Sequence, residues 1–262
     1  RPKKVIDVNF TGAVNVINAA QEAGCEAILQ VASAEIYGDG PHVEDFDTDS
    51  IIEKKMRLTE DTPVSPHSTY GVAKAAVDSY VQCAWKERKT PCIALRQFNC
   101  VGERETHPYV VPEIISQISR QMYPPWEDGR CHLVPKVPTV KLGNNSFRDF
   151  LYAGDAVRIA VELLERGQYG EVYNLGSETG VKIYDLAKLI GKVMGFADVT
   201  VERDEARVRP WEIWSLLADN TKLQSVVKYE IERMCLEDAL KRTVAWYNEN
   251  ERSWPWEKHT KS

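Results

Sequence analysis

Tyr70 and Lys74 stand four residues apart in the stretch Ser65-Pro66-His67-Ser68-Thr69-Tyr70-Gly71-Val72-Ala73-Lys74. After Pro66 the positions Val72, Ala73, Ala76, Val77, Tyr80 and Val81 recur at helical spacing, which predicts an amphipathic helix to about Arg88. Residues i and i+4 share a helix face, so the phenol and the ammonium are neighbours. A free phenol has a pKa near ~10 and is a poor base at neutral pH. An ammonium one turn away favours the phenolate. Such a pair can take a proton from a hydroxyl whose carbon gives up a hydride. The same spacing also occurs on solvated helices, so the assignment needs supporting residues.

Those residues depend on the elements around the helix. Val5 to Ala23 reads as a helix, with apolar Val5, Val8, Val14, Ile17 and Ala20 and a C-capping Gly24. Ala27-Ile28-Leu29-Gln30-Val31-Ala32 fits a buried parallel strand, and Ser33-Ala34-Glu35-Ile36-Tyr37-Gly38 follows at its carboxyl end. Pro91 to Arg96 is a second such strand, ending in Gln97-Phe98-Asn99-Cys100-Val101-Gly102. Helix and strand alternate, which indicates right-handed βαβ units on a parallel sheet, where ligands bind outside the carboxyl ends of the strands. Ser33, Tyr70 and the Phe98-Asn99 pair are thereby expected at one crevice. A serine hydroxyl there can share a proton with the phenol.

Asp39 to Pro66 is acidic and turn-rich and reads as a surface loop, a candidate lid. Past Gly102, a helix is predicted over Val110 to Met122 and a proline-rich connection over Tyr123 to Pro138. Strands are expected at Val140 to Gly143, Phe147 to Tyr152 and Glu171 to Leu175, with a turn at Asn144-Asn145. Further helices are expected from an Asp155 cap to Glu165, over Ile183 to Met194, and from Leu236 to Asn248. The tail holding Trp254 and Trp256 reads as mobile.

The chain has 262 residues, enough for a sizeable core. Its net charge of −6 gives no broad basic surface for nucleic acid. No apolar run approaches a membrane span, and no signal peptide is visible. The six cysteines show neither C-x-x-C nor metal-ligand spacing, so reduced thiols, a cytoplasmic location and no metal are expected.

The chain resembles the extended short-chain dehydrogenase/reductase family, in particular its nucleotide-sugar epimerases and dehydratases. The resemblance rests on Val8-Asn9-Phe10-Thr11-Gly12, Ser33 to Gly38, Tyr70 to Lys74, Arg96 to Gly102, Phe147 to Tyr152 and Tyr173-Asn174-Leu175-Gly176-Ser177, in family order over nearly the whole chain. It implies an α/β fold with a Rossmann-like doubly wound parallel sheet and a smaller mixed α/β part. Residues 1–102 would be the C-terminal portion of an NAD-binding domain, to which segments after residue 140 return in part. Residues 103–262 would mainly bind a nucleotide-diphosphate sugar. Ser33, Tyr70 and Lys74 are implied as the catalytic triad. Lys74 would also hold the nicotinamide ribose, and Asn9 would support it through a water. Ala32, Ser33, Tyr70, Phe98 and Val101 are implied around NAD, with NADP the alternative. Asn99 and Leu142 would touch the sugar nucleotide, and Arg148 and Arg209 would grip its diphosphate, which suits the guanidinium fork. Homodimers are implied, formed by the Asn9-region and Tyr70 helices packing on their copies.

The family begins with a G-x-x-G-x-x-G turn that these residues do not contain. Roughly 80 residues in two to three βα units are therefore expected ahead of Arg1, which would leave the sheet N-terminally incomplete. For the reaction, Glu35 is informative. Family members oxidise the sugar at C4, and a carboxylate at this position then removes the C5 proton in dehydratases and uronate decarboxylases. Glu35 favours a 4,6-dehydratase, its other reading being a turn cap. Ala34 points the other way, because dehydratases carry Asp or Ser there. Arg209-Pro210-Trp211-Glu212 and Ala218 to Lys222 look most like the branch acting on UDP-amino sugars. A 4-epimerase is the alternative; a UDP-glucuronate decarboxylase and an inactive binder are weaker ones.

Overall fold

The computed structural model describes residues 1–38, 57–106, 109–122, 136–209, 211–227 and 233–250. Most of the expected acidic loop, most of the proline-rich connection, Pro210, Cys131 and the tryptophan-bearing tail lie outside these residues.

The first helical stretch starts earlier than its apolar pattern does. It comprises α1 (Pro2–Ile6), a π-helical turn (Asp7–Thr11) and α2 (Gly12–Glu22). Pro2 suits the first turn because its missing N–H would be unpaired there. Next come β1 (Ile28–Val31), a 3₁₀ turn (Ala34–Tyr37), β2 (Arg57–Leu58), α3 (Thr69–Arg88), β3 (Cys92–Gln97) and β4 (Asn99–Val101). They are followed by α4 (Val110–Met122), β5 (Thr139–Leu142), β6 (Phe147–Tyr152), α5 (Ala153–Arg166), β7 (Val172–Leu175) and β8 (Gly180–Lys182). The chain continues through α6 (Ile183–Val193), β9 (Thr200–Arg203), a 3₁₀ turn (Glu205–Arg207), β10 (Ser215–Ala218), α7 (Thr221–Gln224) and α8 (Leu236–Glu249). The expected cap at Asp155 is not found. Tyr152 precedes the helix, and Asp155 lies inside its first turn, paired with Arg158. The expected Asn144-Asn145 turn is instead an irregular connection, where Asn145 Oδ1 accepts from the Tyr184 amide at 2.9 Å at the start of α6.

The chain divides into two compact units. One holds residues 1–100, 147–180 and 213–233. Its sheet has the parallel order β1-β3-β7. Alternation along β3 explains why helices cover both faces. Cys92 and Ala94 face Ile17 of α2 and Val81 and Ala84 of α3. Ile93 and Leu95 face Ile159 and Leu163 of α5 and Leu223 of α7. This is the doubly wound, Rossmann-like arrangement. β2, β10 and β6 pair in parallel beside it. A third apolar cluster of Ala34, Ile36, Tyr37, Leu58, Phe98, Leu216 and Ala218 lies beneath the turn that follows β1.

The other unit holds residues 101–146, 181–212 and 234–262. β5 and β9 pair in parallel, and α4, α6 and α8 pack around them. Gln117 and Gln121, one turn apart on α4, act as a surrogate strand along β5. Gln117 exchanges both amide bonds with Lys141, at 2.7 and 3.1 Å, and Gln121 does so with Thr139, at 3.0 and 2.7 Å. No helix of the described residues is long and apolar enough to cross a membrane.

Candidate active site

The first unit gathers Ser33, Glu35, Tyr70 and Lys74 around the carboxyl end of β1. Ser33 is extended and caps the 3₁₀ turn, its Oγ accepting from the Glu35 amide at 3.2 Å. That bond uses a lone pair and leaves the hydroxyl proton to be donated. The turn closes at Gly38, whose φ is +64°. A Cβ there would lie 1.9 Å from the Ser65 carbonyl oxygen, so only glycine fits.

Ser68 N-caps α3 in extended geometry, its Oγ accepting from the Gly71 amide at 2.9 Å. The same hydroxyl donates to Glu35 Oε2 at 3.2 Å. Gly71 lets the two segments meet, since a Cβ at this position would lie 2.9 Å from the Glu35 carbonyl oxygen. Tyr70 and Lys74 follow Ser68 by two and six residues, one turn apart on the same face of the helix. Lys74 Nζ donates to Val31 O at 2.9 Å and lies 5.7 Å from the Tyr70 ring centre. Burial lowers the pKa of Lys74 below its ordinary value. The phenol, ammonium, hydroxyl and carboxylate are thus set by one strand end and one helix start.

In the same unit runs a buried polar network that no local pattern in the chain announces. Arg96 donates to Asp78 of α3, to the Tyr37 hydroxyl at 2.8 Å and to Glu60 O at 3.0 Å. Tyr37 in turn donates to Asn174 Oδ1 at 2.6 Å. Glu60 Oε1 accepts from the Asn174 amide at 2.7 Å. Burial pushes the Tyr37 phenol up to about 12, against the opposing Arg96 charge. Burial also raises the Glu60 carboxyl, against the Asn174 bond. These residues sit inside segments singled out above, yet their pairing spans up to 137 positions. Periodicity carries no signal at that range.

The other expected residues are distributed as follows. Asn9 lies in the π turn, and its Nδ2 donates back to Val5 O at 3.0 Å. Ala32 and Phe98 are buried. Asn99 Oδ1 is enclosed, with no hydrogen-bond partner among the described residues. Arg148 is half-buried on β6 and donates to Phe147 O at 2.9 Å. Its neighbour Asp149 commits its carboxylate to the amides of Ser177, Glu178 and Ala218, at 2.5, 3.0 and 3.1 Å. Val101, Leu142 and Arg209 belong to the other unit, where Val101 and Leu142 are buried and Arg209 is exposed. No group of three or more His, Cys, Asp or Glu among the described residues can hold a metal.

Solved structures share this fold. A dTDP-glucose 4,6-dehydratase from Bacillus anthracis, in complex with NAD, superposes with a TM-score of 0.74 at 22% identity, covering 95% of this chain and 70% of that one. A UDP-glucose 4-epimerase from Thermotoga maritima, with UDP-glucose, gives 0.76 at 21% identity, covering 96% and 72%. In sequence, a dTDP-D-glucose 4,6-dehydratase from Mus musculus is 28% identical over 251 residues, which are 94% of this chain and 62% of that protein. A UDP-glucose 4-epimerase from Lactobacillus helveticus is 26% identical, over 94% of this chain and 72% of the relative. The chain thus spans under two thirds of the mouse protein's length. The family model for NAD dependent epimerases and dehydratases matches residues 1–176, which include every residue of the β1–α3 site. The chain belongs to the NAD dependent epimerase/dehydratase family.

Proposed function

We propose that the chain carries the catalytic residues of a nucleotide-sugar 4,6-dehydratase acting through a transient 4-keto sugar. The observation that carries this reading is Glu35, whose carboxylate is held by Ser68 two residues ahead of Tyr70 and whose amide is held by Ser33. An epimerase needs no base at that position. The resemblance to proteins named dTDP-glucose 4,6-dehydratase supports it.

The residues present fit the nicotinamide-ribose end of NAD, or alternatively NADP. Lys74 uses one donor on Val31 O and has two more for ribose hydroxyls. Asn99 Oδ1 is an enclosed acceptor that calls for a donor from cofactor or sugar. Ala32, Phe98 and Val101 would line the same ligand. When bound, NAD supplies a reversible hydride acceptor. Tyr70 Oη takes the proton of the sugar 4-hydroxyl, and Ser33 Oγ donates a hydrogen bond to that oxygen. The Lys74 ammonium favours the phenolate. The 4-keto group acidifies the C5 proton, which Glu35 removes as the C6 hydroxyl departs; the hydride would then return at C6 with a proton to C5, so that the net change is loss of one water. Ala34 is buried among apolar side chains and carries no acid, so the proton for that hydroxyl comes from water or another residue.

Arg148 and Arg209 are the proposed diphosphate ligands, with Leu142 and Asn99 against the sugar nucleotide. The working state is read as a homodimer, and the thiols of Cys25, Cys83, Cys92, Cys100 and Cys235, which form no disulfide among the described residues, support a cytoplasmic setting.

A second reading, 4-epimerase, draws on Ala34, since no side-chain acid stands where elimination would use one. Anaerobic incubation of the chain and NAD with a panel of nucleotide sugars separates the two by mass spectrometry. Loss of one water, abolished by Glu35→Gln, supports dehydration. Isomer exchange at unchanged mass in both proteins overturns it in favour of epimerisation.

A further inference from the structure

The Ser68 hydroxyl sits between two demands. The Gly71 amide needs an acceptor at the first turn of α3, and the Ser68 oxygen supplies it at 2.9 Å. With a lone pair committed there, the single hydroxyl proton is directed to Glu35 Oε2 at 3.2 Å. Any capping residue with a side-chain oxygen would satisfy the helix. Only one that also carries a donor satisfies the carboxylate. The close approach of the two segments is built in, because Gly71 leaves the space that brings the Glu35 backbone against the helix start. Glu35 is thereby attached to the helix that carries Tyr70 and Lys74, and not only to its own turn.

We propose that Ser68 is a positioning residue for Glu35, fixing the carboxylate that removes the C5 proton while it caps the catalytic helix. The proposal rests on the dehydratase reading for its catalytic consequence, whereas the Ser68–Glu35 bond can be tested without turnover.

Three variants of the full chain separate the two duties. Ser68→Asp remains a good N-cap but replaces the donor with a like charge. Ser68→Thr keeps cap and donor. Ser68→Ala loses both. With glutamate labelled at the carboxyl carbon, the Glu35 resonance is assigned through Glu35→Gln. It is expected to move in Ser68→Ala and Ser68→Asp and to stay in place in Ser68→Thr. An unmoved resonance in Ser68→Ala overturns the proposal whether or not the protein turns over. In the assay, Ser68→Asp is expected to slow water loss by about 10- to 100-fold at unchanged KM, with sugar oxidation and melting temperature near those of the parent. Equal loss of oxidation and elimination would mean that Ser68 acts only through the helix, which overturns the positioning role. If the parent releases no water from any sugar, the dehydratase reading fails and the resonance still decides the bond.

Discussion

Arg96 grips Asp78 through two parallel bonds, Nε to Oδ1 at 3.1 Å and Nη2 to Oδ2 at 2.8 Å, with side chains only 5% and 4% exposed. Burial by itself would favour the discharged guanidine, but the Asp78 carboxylate offsets this and holds the Arg96 pKa above its ordinary value. The third guanidinium nitrogen is used as well, on Tyr37 and Glu60. One side chain on β3 therefore ties α3, the Ser33–Tyr37 turn and the segment after β2 together. Removing it leaves a buried carboxylate uncompensated. Arg96→Met is expected to cost about 3–5 kcal/mol in urea unfolding. Adding Asp78→Leu should recover part of that loss. A single variant as stable as the parent would contradict this account of the network.

Gly71 offers a more local test. Its missing side chain admits the Glu35 carbonyl oxygen and Pro66 Cβ, which a Cβ would meet at 2.9 and 3.0 Å. Alanine suits a helix better than glycine by roughly 1 kcal/mol. Here the overlap with backbone should reverse that sign. Gly71→Ala is expected to destabilise by about 1–3 kcal/mol and to lower kcat more than KM, because the Glu35 turn must move off the helix. A stabilised Gly71→Ala, measured by thermal melting, would show that the turn yields easily.

The contrast between these two sites shows what the sequence could disclose. The helix start at Tyr70 is legible because apolar spacing, Ser68 and the i, i+4 pair are all local. Strand β3 is legible because both of its faces are covered, which leaves a short apolar run; β1 follows a similar pattern, although Ile28 alone is fully buried along it and Val31 is exposed. The α4 helix over Val110–Met122 follows directly from its pattern. The Arg96 network is not legible, since its partners are chosen by the fold and not by neighbours in the chain. The Gln117 and Gln121 amides on β5 are hidden for the same reason. Asp155 lies inside the first turn of α5 and not at its cap because Asp near a helix start suits both positions equally well. At the candidate site, residue type and spacing suffice to expect Ser33, Tyr70 and Lys74 near one strand end, and the structure places Ser33 and Lys74 beside the end of β1 and Tyr70 one turn from Lys74. The partner of Glu35 is not legible in this way, as it stands 33 residues away.

Association is open to a direct test. Val8 and Val16 on the first helical stretch are each 62% exposed, and Val72 on α3 is 49% exposed. The two helical segments pack on each other within the unit, and each leaves an apolar side chain exposed to solvent. If the proposed dimer uses these helices, Val16→Glu should give monomers by light scattering at concentrations where the parent is dimeric, with little change in the far-UV spectrum. A parent that is itself monomeric would refute the dimer.

Glu105 makes the stability of the second unit depend on pH. Its Oε2 is enclosed without a hydrogen-bond partner among the described residues, and the Tyr247 hydroxyl of α8 donates to its backbone carbonyl. Burial pushes the carboxyl up from 4.5 to about 8. The same burial, together with the Glu105 charge, raises the Tyr247 phenol. Nearby, Glu103 pairs with Arg242 on α8 at 2.9 Å. Between the two Glu105 values the unfolded chain has released its proton and the folded chain keeps it. Folding then binds more protons than the unfolded state, and stability falls as pH rises. The contribution is complete below about 4.5 and lost once pH passes about 8. Glu105→Gln keeps the neutral shape and removes the titration. Its melting temperature should match the parent near about pH 5 and exceed it near about pH 8. A difference of the same size at both pH values would show that Glu105 acts through packing and not through its proton.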